Sequence, residues 1–169
     1  MRTMIFLGLS VVLFAACETG PPRWTASSPE VDVVKALVKD YEDGNWSSWS
    51  GHYSDTAKAH HNSVEGVTPQ QLQDALKQDI QRLSSYGFSD EDLFYEMIID
   101  DEGDKWVYFW GTWEGKVAET NEDLVIPVHL AYNLVDGKIV SEYAYYNYAP
   151  LVNAFNAQDA ARQAAGAVN

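Results

Sequence analysis

The second half of the chain holds four long strand-like runs with very little between them, and this arrangement constrains the fold more than any other feature. The runs are Leu93 to Asp100, Lys105 to Val117, Leu124 to Val135 and Lys138 to Asn147. The connections Asp101 to Asp104 and Asp136-Gly137 are too short for a parallel crossover, so the strands they join are antiparallel neighbours. Asp136-Gly137 also suits a type I′ turn, which needs positive φ at both central positions. In the last run the odd positions Ile139, Ser141, Tyr143, Tyr145 and Asn147 share one face. They predict an aromatic wall ending in an amide, the usual make-up of a small-molecule pocket.

The first half reads as mainly helical. Ser28 as N-cap, Pro29 at the first helical position and Glu30 and Asp32 in the first turn open a helix. Val31, Val34, Val38 and Tyr41 give it one apolar face, and Gly44 ends it. A short helix starting at Asn45 carries the stripe Trp46, Trp49 and Tyr53, which serves as lid and core or lines a cavity mouth. Thr56 to Ser63 reads as a short strand with His60 and His61 on opposite faces, so only one of them can enter a cavity. Thr68, Pro69 and Gln71 form a capping box for a helix whose apolar face is Leu72, Ala75, Leu76, Ile80 and Leu83, stopping near Tyr86-Gly87. A short helix from about Pro150 to Phe155 follows the last strand, and the Ala-rich end from Ala157 to Asn169 has little bulk to bury, so it is a frayed helical tail or disordered. The pattern predicts an α+β domain: a curved, mainly antiparallel sheet with helices packed on one side.

Residues 1 to 16 are a cationic start at Arg2 and an apolar run from Ile5 to Ala16, shorter than the roughly 20 residues a bilayer demands, and so a signal peptide. The run closes on Leu13-Phe14-Ala15-Ala16-Cys17, and Cys17 is the single cysteine of the chain. This resembles the lipobox of bacterial lipoproteins, where cleavage precedes an acylated cysteine; Phe14 departs from the leucine usual three positions upstream. The alternative is an ordinary secretory signal. On the lipoprotein reading, residues 17 to 29 are a lipidated cysteine and tether, the lipid is the only membrane contact, and the protein sits in the bacterial cell envelope facing the periplasm or exterior. The formal charge of −14 repels phosphate backbones, which argues against nucleic acid as a partner.

The element order, together with Val33 to Gly44 running into Asn45-Trp46, the strand Trp106 to Trp113, the run Val125-Ile126-Pro127-Val128-His129, and Asp136-Gly137-Lys138-Ile139 leading to Tyr145-Tyr146-Asn147 and Leu151, resembles the SnoaL-like branch of the nuclear transport factor 2-like superfamily. The resemblance spans Val31 to Phe155 and sets a domain at residues 30 to 156, with 157 to 169 as tail. It implies a cone-shaped barrel, a pocket between sheet and helices, and a homodimer through the open sheet face. Family activities run from polyketide cyclisation and steroid isomerisation to binding without chemistry, so fold alone does not settle function. Many SnoaL-like sequences carry an aspartate where this chain has Asn147. An amide cannot shuttle protons near neutral pH, but it can orient a ligand or cap the following helix.

His129 interrupts an apolar strand and is the first candidate for a general base, with His61 the second. A lone strand histidine is also a common structural residue. The four histidines His52, His60, His61 and His129 lack metal-motif spacing, and no cofactor motif occurs. The Asp100 to Asp104 cluster reads as a solvated turn. The sequence therefore predicts a domain that binds a small apolar molecule, without catalysis, through Trp110, His129, Tyr143, Tyr145 and Asn147. The rivals are a cyclase or isomerase using His129 or His61, and a protein-interaction module of the envelope.

Overall fold

The computed structural model describes residues 23–166. The predicted signal peptide, Cys17 and the last residues of the tail lie outside the described residues. Eleven elements follow in order: β1 Trp24–Thr25, α1 Pro29–Glu42, α2 Trp46–Gly51, β2 Tyr53–His61, α3 Pro69–Ile80, β3 Leu83–Phe88, β4 Phe94–Ile99, β5 Lys105–Val117, β6 Asp123–Val135, β7 Lys138–Tyr146 and α4 Ala149–Gly166.

Local chemistry explains the helix starts. The Ser28 hydroxyl accepts from the Val31 amide with Pro29 in the first turn, and Thr68 and Gln71 complete the capping box of α3. Asp136 and Gly137 both have positive φ, as the type I′ hairpin between β6 and β7 demands. Along α1, Val31, Val34, Leu37 and Val38 are buried, and each contributes roughly 1.5–3 kcal/mol of transfer free energy.

The seven strands form one sheet in the order β1-β4-β5-β6-β7-β2, with β3 also paired to β5. Strand β5 is long enough to serve two neighbours: Lys105 to Trp110 pair with β4, and Trp113 to Val117 pair with β3. All pairings are antiparallel except β2 with β7. The sheet curls into a cone with the helices on its concave side, as predicted. Two buried clusters fill that side. One joins α1, α2 and the middle strands; the other gathers Trp113, Val117, Leu124 and Ile126 under Leu151, Ala154 and Phe155 of α4.

Three expectations change. The helix predicted to reach Tyr86-Gly87 stops at Ile80, because Leu83 to Phe88 pair along β5 as β3; the run Leu83-Ser84-Ser85-Tyr86-Gly87-Phe88 has too few apolar residues to announce a strand. The short helix predicted to end near Phe155 runs on as α4 to Gly166, so the described part of the tail is helical, and Gln158 is wholly buried where Arg82 donates to its Oε1 at 2.8 Å. The predicted tether ends in structure, since Trp24 and Thr25 pair with Ile98 and Met97 on the β4 edge.

Candidate functional site

Between the two buried clusters lies a cavity of about 120 Å³, walled by α1, α2, α3, the sheet and the start of α4. Its lining is mostly apolar and aromatic, including Leu37, Val38, Trp49, Phe88, Trp113, Ile126 and Leu130. Polar groups reach it in two places.

The deeper group is built on the parallel pair β2 and β7. His61 at the end of β2 is in register with Ala144, so on the same face it stands beside Glu142, one pleat away. Its Nε2 lies 2.9 Å from Glu142 Oε1, and the Tyr53 hydroxyl donates to Glu142 Oε2 at 2.6 Å. Glu142 is only 3 % exposed, so an ionised carboxylate here relies on these partners for solvation. His61 Nδ1 is 3.3 Å from the Tyr146 hydroxyl. Tyr132, directly opposite Glu142 on β6, completes the cluster. Burial first, and the Glu142 charge next, push the Tyr53 and Tyr132 phenols well above their ordinary range, and burial pushes Tyr146 up to about 12. All three stay protonated at neutral pH and can donate hydrogen bonds.

The second polar place is nearer the surface. Asp79, in the last turn of α3, accepts from the Tyr148 hydroxyl at 2.7 Å. Burial raises the Asp79 carboxyl above the ordinary aspartate value, against the opposing pull of the Tyr148 bond and the Arg82 charge. Burial and then Asp79 raise the Tyr148 phenol.

Most of the predicted binding residues lie elsewhere. Trp110, His129, Tyr143 and Tyr145 all project from the opposite, convex face of the sheet. There Trp110 and His129 stack at 4.5 Å, Tyr145 stacks on the other side of His129 at 6.4 Å, and His60 lies nearly parallel to Tyr143 at 4.7 Å. His129 therefore cannot act in the cavity; its Nδ1 is 3.2 Å from the Phe109 carbonyl. Asn147 is exposed and accepts from the Ala149 amide at 3.1 Å, which is the helix-capping alternative. Of the two catalytic candidates only His61 lines the cavity, and His60 faces away from it, as the strand periodicity required.

The reversal has a local cause. Tyr143 and Tyr145 made the odd positions of β7 look like the inner face, and Ile139 at the strand's start is indeed fully buried. A bulge follows immediately: Leu134 and Asn133, adjacent on β6, pair with Ile139 and Ser141, leaving Val140 as the extra residue. One extra residue exchanges the two faces downstream, so Glu142, Ala144 and Tyr146 turn inward. Glu142 went unnoticed because the odd-face reading placed it in solvent. The one available signal was an acid at the head of an aromatic run, Glu142 before Tyr143, Tyr145 and Tyr146.

Among the described residues no group of three or more histidines, cysteines or acids is placed to hold a metal, and no helix is long and apolar enough to cross a membrane. Comparison with protein-family models and with curated protein sequences gives no match. Solved structures do match. One is a protein of Jannaschia sp. CCS1 named as a SnoaL-like polyketide cyclase, 15% identical, with a TM-score of 0.62 over 80% of this chain and 96% of that one. Another, from Catenulispora acidiphila DSM 44928, has a ketosteroid isomerase-like fold and was solved with trimethylamine: 10% identity, TM-score 0.55, 69% and 85% coverage. A third, TerC co-crystallised with polyporic acid, is 12% identical with a TM-score of 0.58 over 76% and 99%. The chain thus has the fold of these SnoaL-like and ketosteroid isomerase-like structures.

Proposed function

We propose that this protein is a proton-transfer enzyme of the isomerase or cyclase type, acting on a small, largely apolar carbonyl compound held in the cavity. The observation that carries this reading is the buried Glu142 carboxylate paired with His61 at 2.9 Å in the wall of an otherwise apolar cavity. The absence of an acid at position 147 had argued against catalysis, and Glu142 supplies one five residues earlier. Its role is positional and electrostatic: it holds the imidazole by Nε2 and stabilises the positive charge that develops as the ring takes a proton. The proton arrives at Nδ1 from the carbon next to the carbonyl. A substrate reaching Nδ1 displaces the Tyr146 hydroxyl, which then donates to the carbonyl oxygen as it gains enolate character.

Binding without chemistry is the second reading, and one observation favours it. Both nitrogens of His61 already have protein partners, so without displacement of Tyr146 the ring only positions a ligand. Hydrogen–deuterium exchange separates the two. Small cyclic ketones such as cyclohexenone and tetralone, followed by NMR in D₂O, should lose their α-protons faster with wild-type protein than with His61→Ala or Glu142→Gln. Equal rates in all three, with the ketone still bound, refute the enzyme and leave the binder.

Two further parts of the reading rest on other grounds. The lipobox-like segment supports acylation of Cys17 and a place in the bacterial envelope; radiolabelled palmitate incorporated by the wild type and not by Cys17→Ala tests it. The exposed rings of Phe94, Trp110 and Tyr145 on the uncovered sheet face support a homodimer, which sedimentation tests, or docking of an envelope protein if the chain sediments as a monomer.

A further inference from the structure

The two carboxylates of the cavity are not equivalent. Glu142 is fully engaged, one oxygen taken by Tyr53 and the other by His61. Asp79 is half-satisfied: Oδ2 accepts from Tyr148, while Oδ1 receives no hydrogen bond from the described residues. Arg82, whose charge acts on it, makes no bond to it and directs Nε and Nη2 to Gln158, the Phe155 carbonyl and Asp159 at 2.8, 2.8 and 2.6 Å. Among the described residues lining the cavity there is no Lys or Arg. The cavity therefore holds an acid with a spare acceptor and, among the described residues, no cation bonded to it.

Around that acid the wall is aromatic. Tyr146 and Tyr148 stand edge to face with centroids 6.1 Å apart, and Tyr41 and Trp113 line the same space. Ring faces attract a cation through their quadrupoles, more strongly when water is excluded. A neutral hydroxyl at Asp79 would gain a hydrogen bond only, whereas an ammonium gains a charge-assisted bond and ring contacts together.

We infer that the cavity takes molecules bearing a cationic amine, with the ammonium at Asp79 beside Tyr146 and Tyr148 and the apolar body directed toward His61. This rests on the cavity being the ligand site, as proposed above, but not on the proton-transfer step. It narrows the ligand class to small amines with an apolar body, which bears a carbonyl where the proton-transfer step also holds. The partial burial that raises the Asp79 carboxyl has the same origin as the site's selectivity, since both follow from scarce water at that acid.

Benzylamine, cationic at pH 7.5, and benzyl alcohol, neutral and of matched size, are the probes. Calorimetric titration of the full-length protein in about 0.15 M salt screens the general attraction of an acidic surface. The wild type should bind benzylamine about tenfold more tightly, or by about 1.4 kcal/mol. Asp79→Asn should abolish that preference and leave benzyl alcohol unaffected. Glu91→Gln, which removes one exposed charge away from the cavity, should retain it. Equal wild-type affinities overturn the inference whatever the variants do, and so does a preference that survives Asp79→Asn. Failure of both probes to bind overturns the cavity as ligand site and the amine with it. The wild type separates the claims: an amine preference that holds while the wild type exchanges ketone α-protons no faster than His61→Ala leaves the inference standing and removes only the enzyme.

Discussion

Replacing Glu142 by glutamine should move a proton from one side of His61 to the other. The carboxylate only accepts, taking hydrogen bonds from the Tyr53 hydroxyl at Oε2 and from His61 at Oε1. Nε2 must then carry the imidazole proton, leaving Nδ1 to accept from Tyr146 across 3.3 Å. In Glu142→Gln the amide oxygen is claimed by Tyr53, whose buried hydroxyl donates to that position in the wild type. The amide nitrogen therefore faces Nε2, and two donors cannot share that contact. The imidazole resolves the conflict by carrying its proton on Nδ1 and donating to Tyr146. In energy, two charge-assisted bonds of about 2 kcal/mol each become neutral bonds of about 1 kcal/mol each, partly offset because a charge is no longer buried. The net loss is about 1–2 kcal/mol, or roughly 3–6 °C in Tm for a domain of this size. Long-range ¹H–¹⁵N correlation spectra distinguish the two tautomers, and urea unfolding gives the stability. An unchanged tautomer in a folded variant refutes the assignment of roles around Glu142, and a loss above about 4 kcal/mol shows that the carboxylate is chiefly structural.

Other perturbations probe different parts of the molecule. Burial raises the Asp79 carboxyl in the folded state, so its ionisation opposes folding: Asp79→Asn should be more stable than wild type by about 1 kcal/mol at pH 7. The gap should close as pH falls through the raised carboxyl value and below 3.8, the ordinary aspartate value, where both side chains are neutral; urea unfolding at pH 3 and 7 checks the sign. At Gly115 a new Cβ would lie 2.8 Å from Trp113 Cζ3 and closer still to Cη2, so Gly115→Ala must displace a ring that lines the cavity and donates to the Tyr41 hydroxyl. A loss of about 1–3 kcal/mol with altered tryptophan fluorescence is expected in denaturant titration. His129→Ala should leave α-proton exchange at the wild-type rate and cost only about 1 kcal/mol, the value of its stacking with Trp110 on the convex face.

The sequence was legible wherever the determining interaction is local. Ser28 with Pro29 and Thr68 with Gln71 specify helix starts through bonds to the next turn, and Asp136-Gly137 specifies a hairpin because few pairs tolerate two positive φ values. Those signals, with the lengths of the strand runs, were enough for an α+β domain and for its order. Strand β3 was lost because Leu83 to Phe88 owe their conformation to a partner some thirty residues away on β5, and the buried stretch of α4 was lost because Gln158 is held by Arg82.

The site was hidden for a related reason. Alternation along β7 determines that Glu142 and Tyr146 share a face opposite to Tyr143 and Tyr145, and this much the residues alone establish. Which of the two faces meets the cavity depends on a bulge at Val140, created by pairing with Leu134 and Asn133 on a neighbouring strand. A strand's side-chain period is two, so one unpaired residue exchanges inside for outside without altering composition or pattern. Local chemistry therefore determined which residues travel together, and only the register between strands decided that Glu142 and His61 face the cavity.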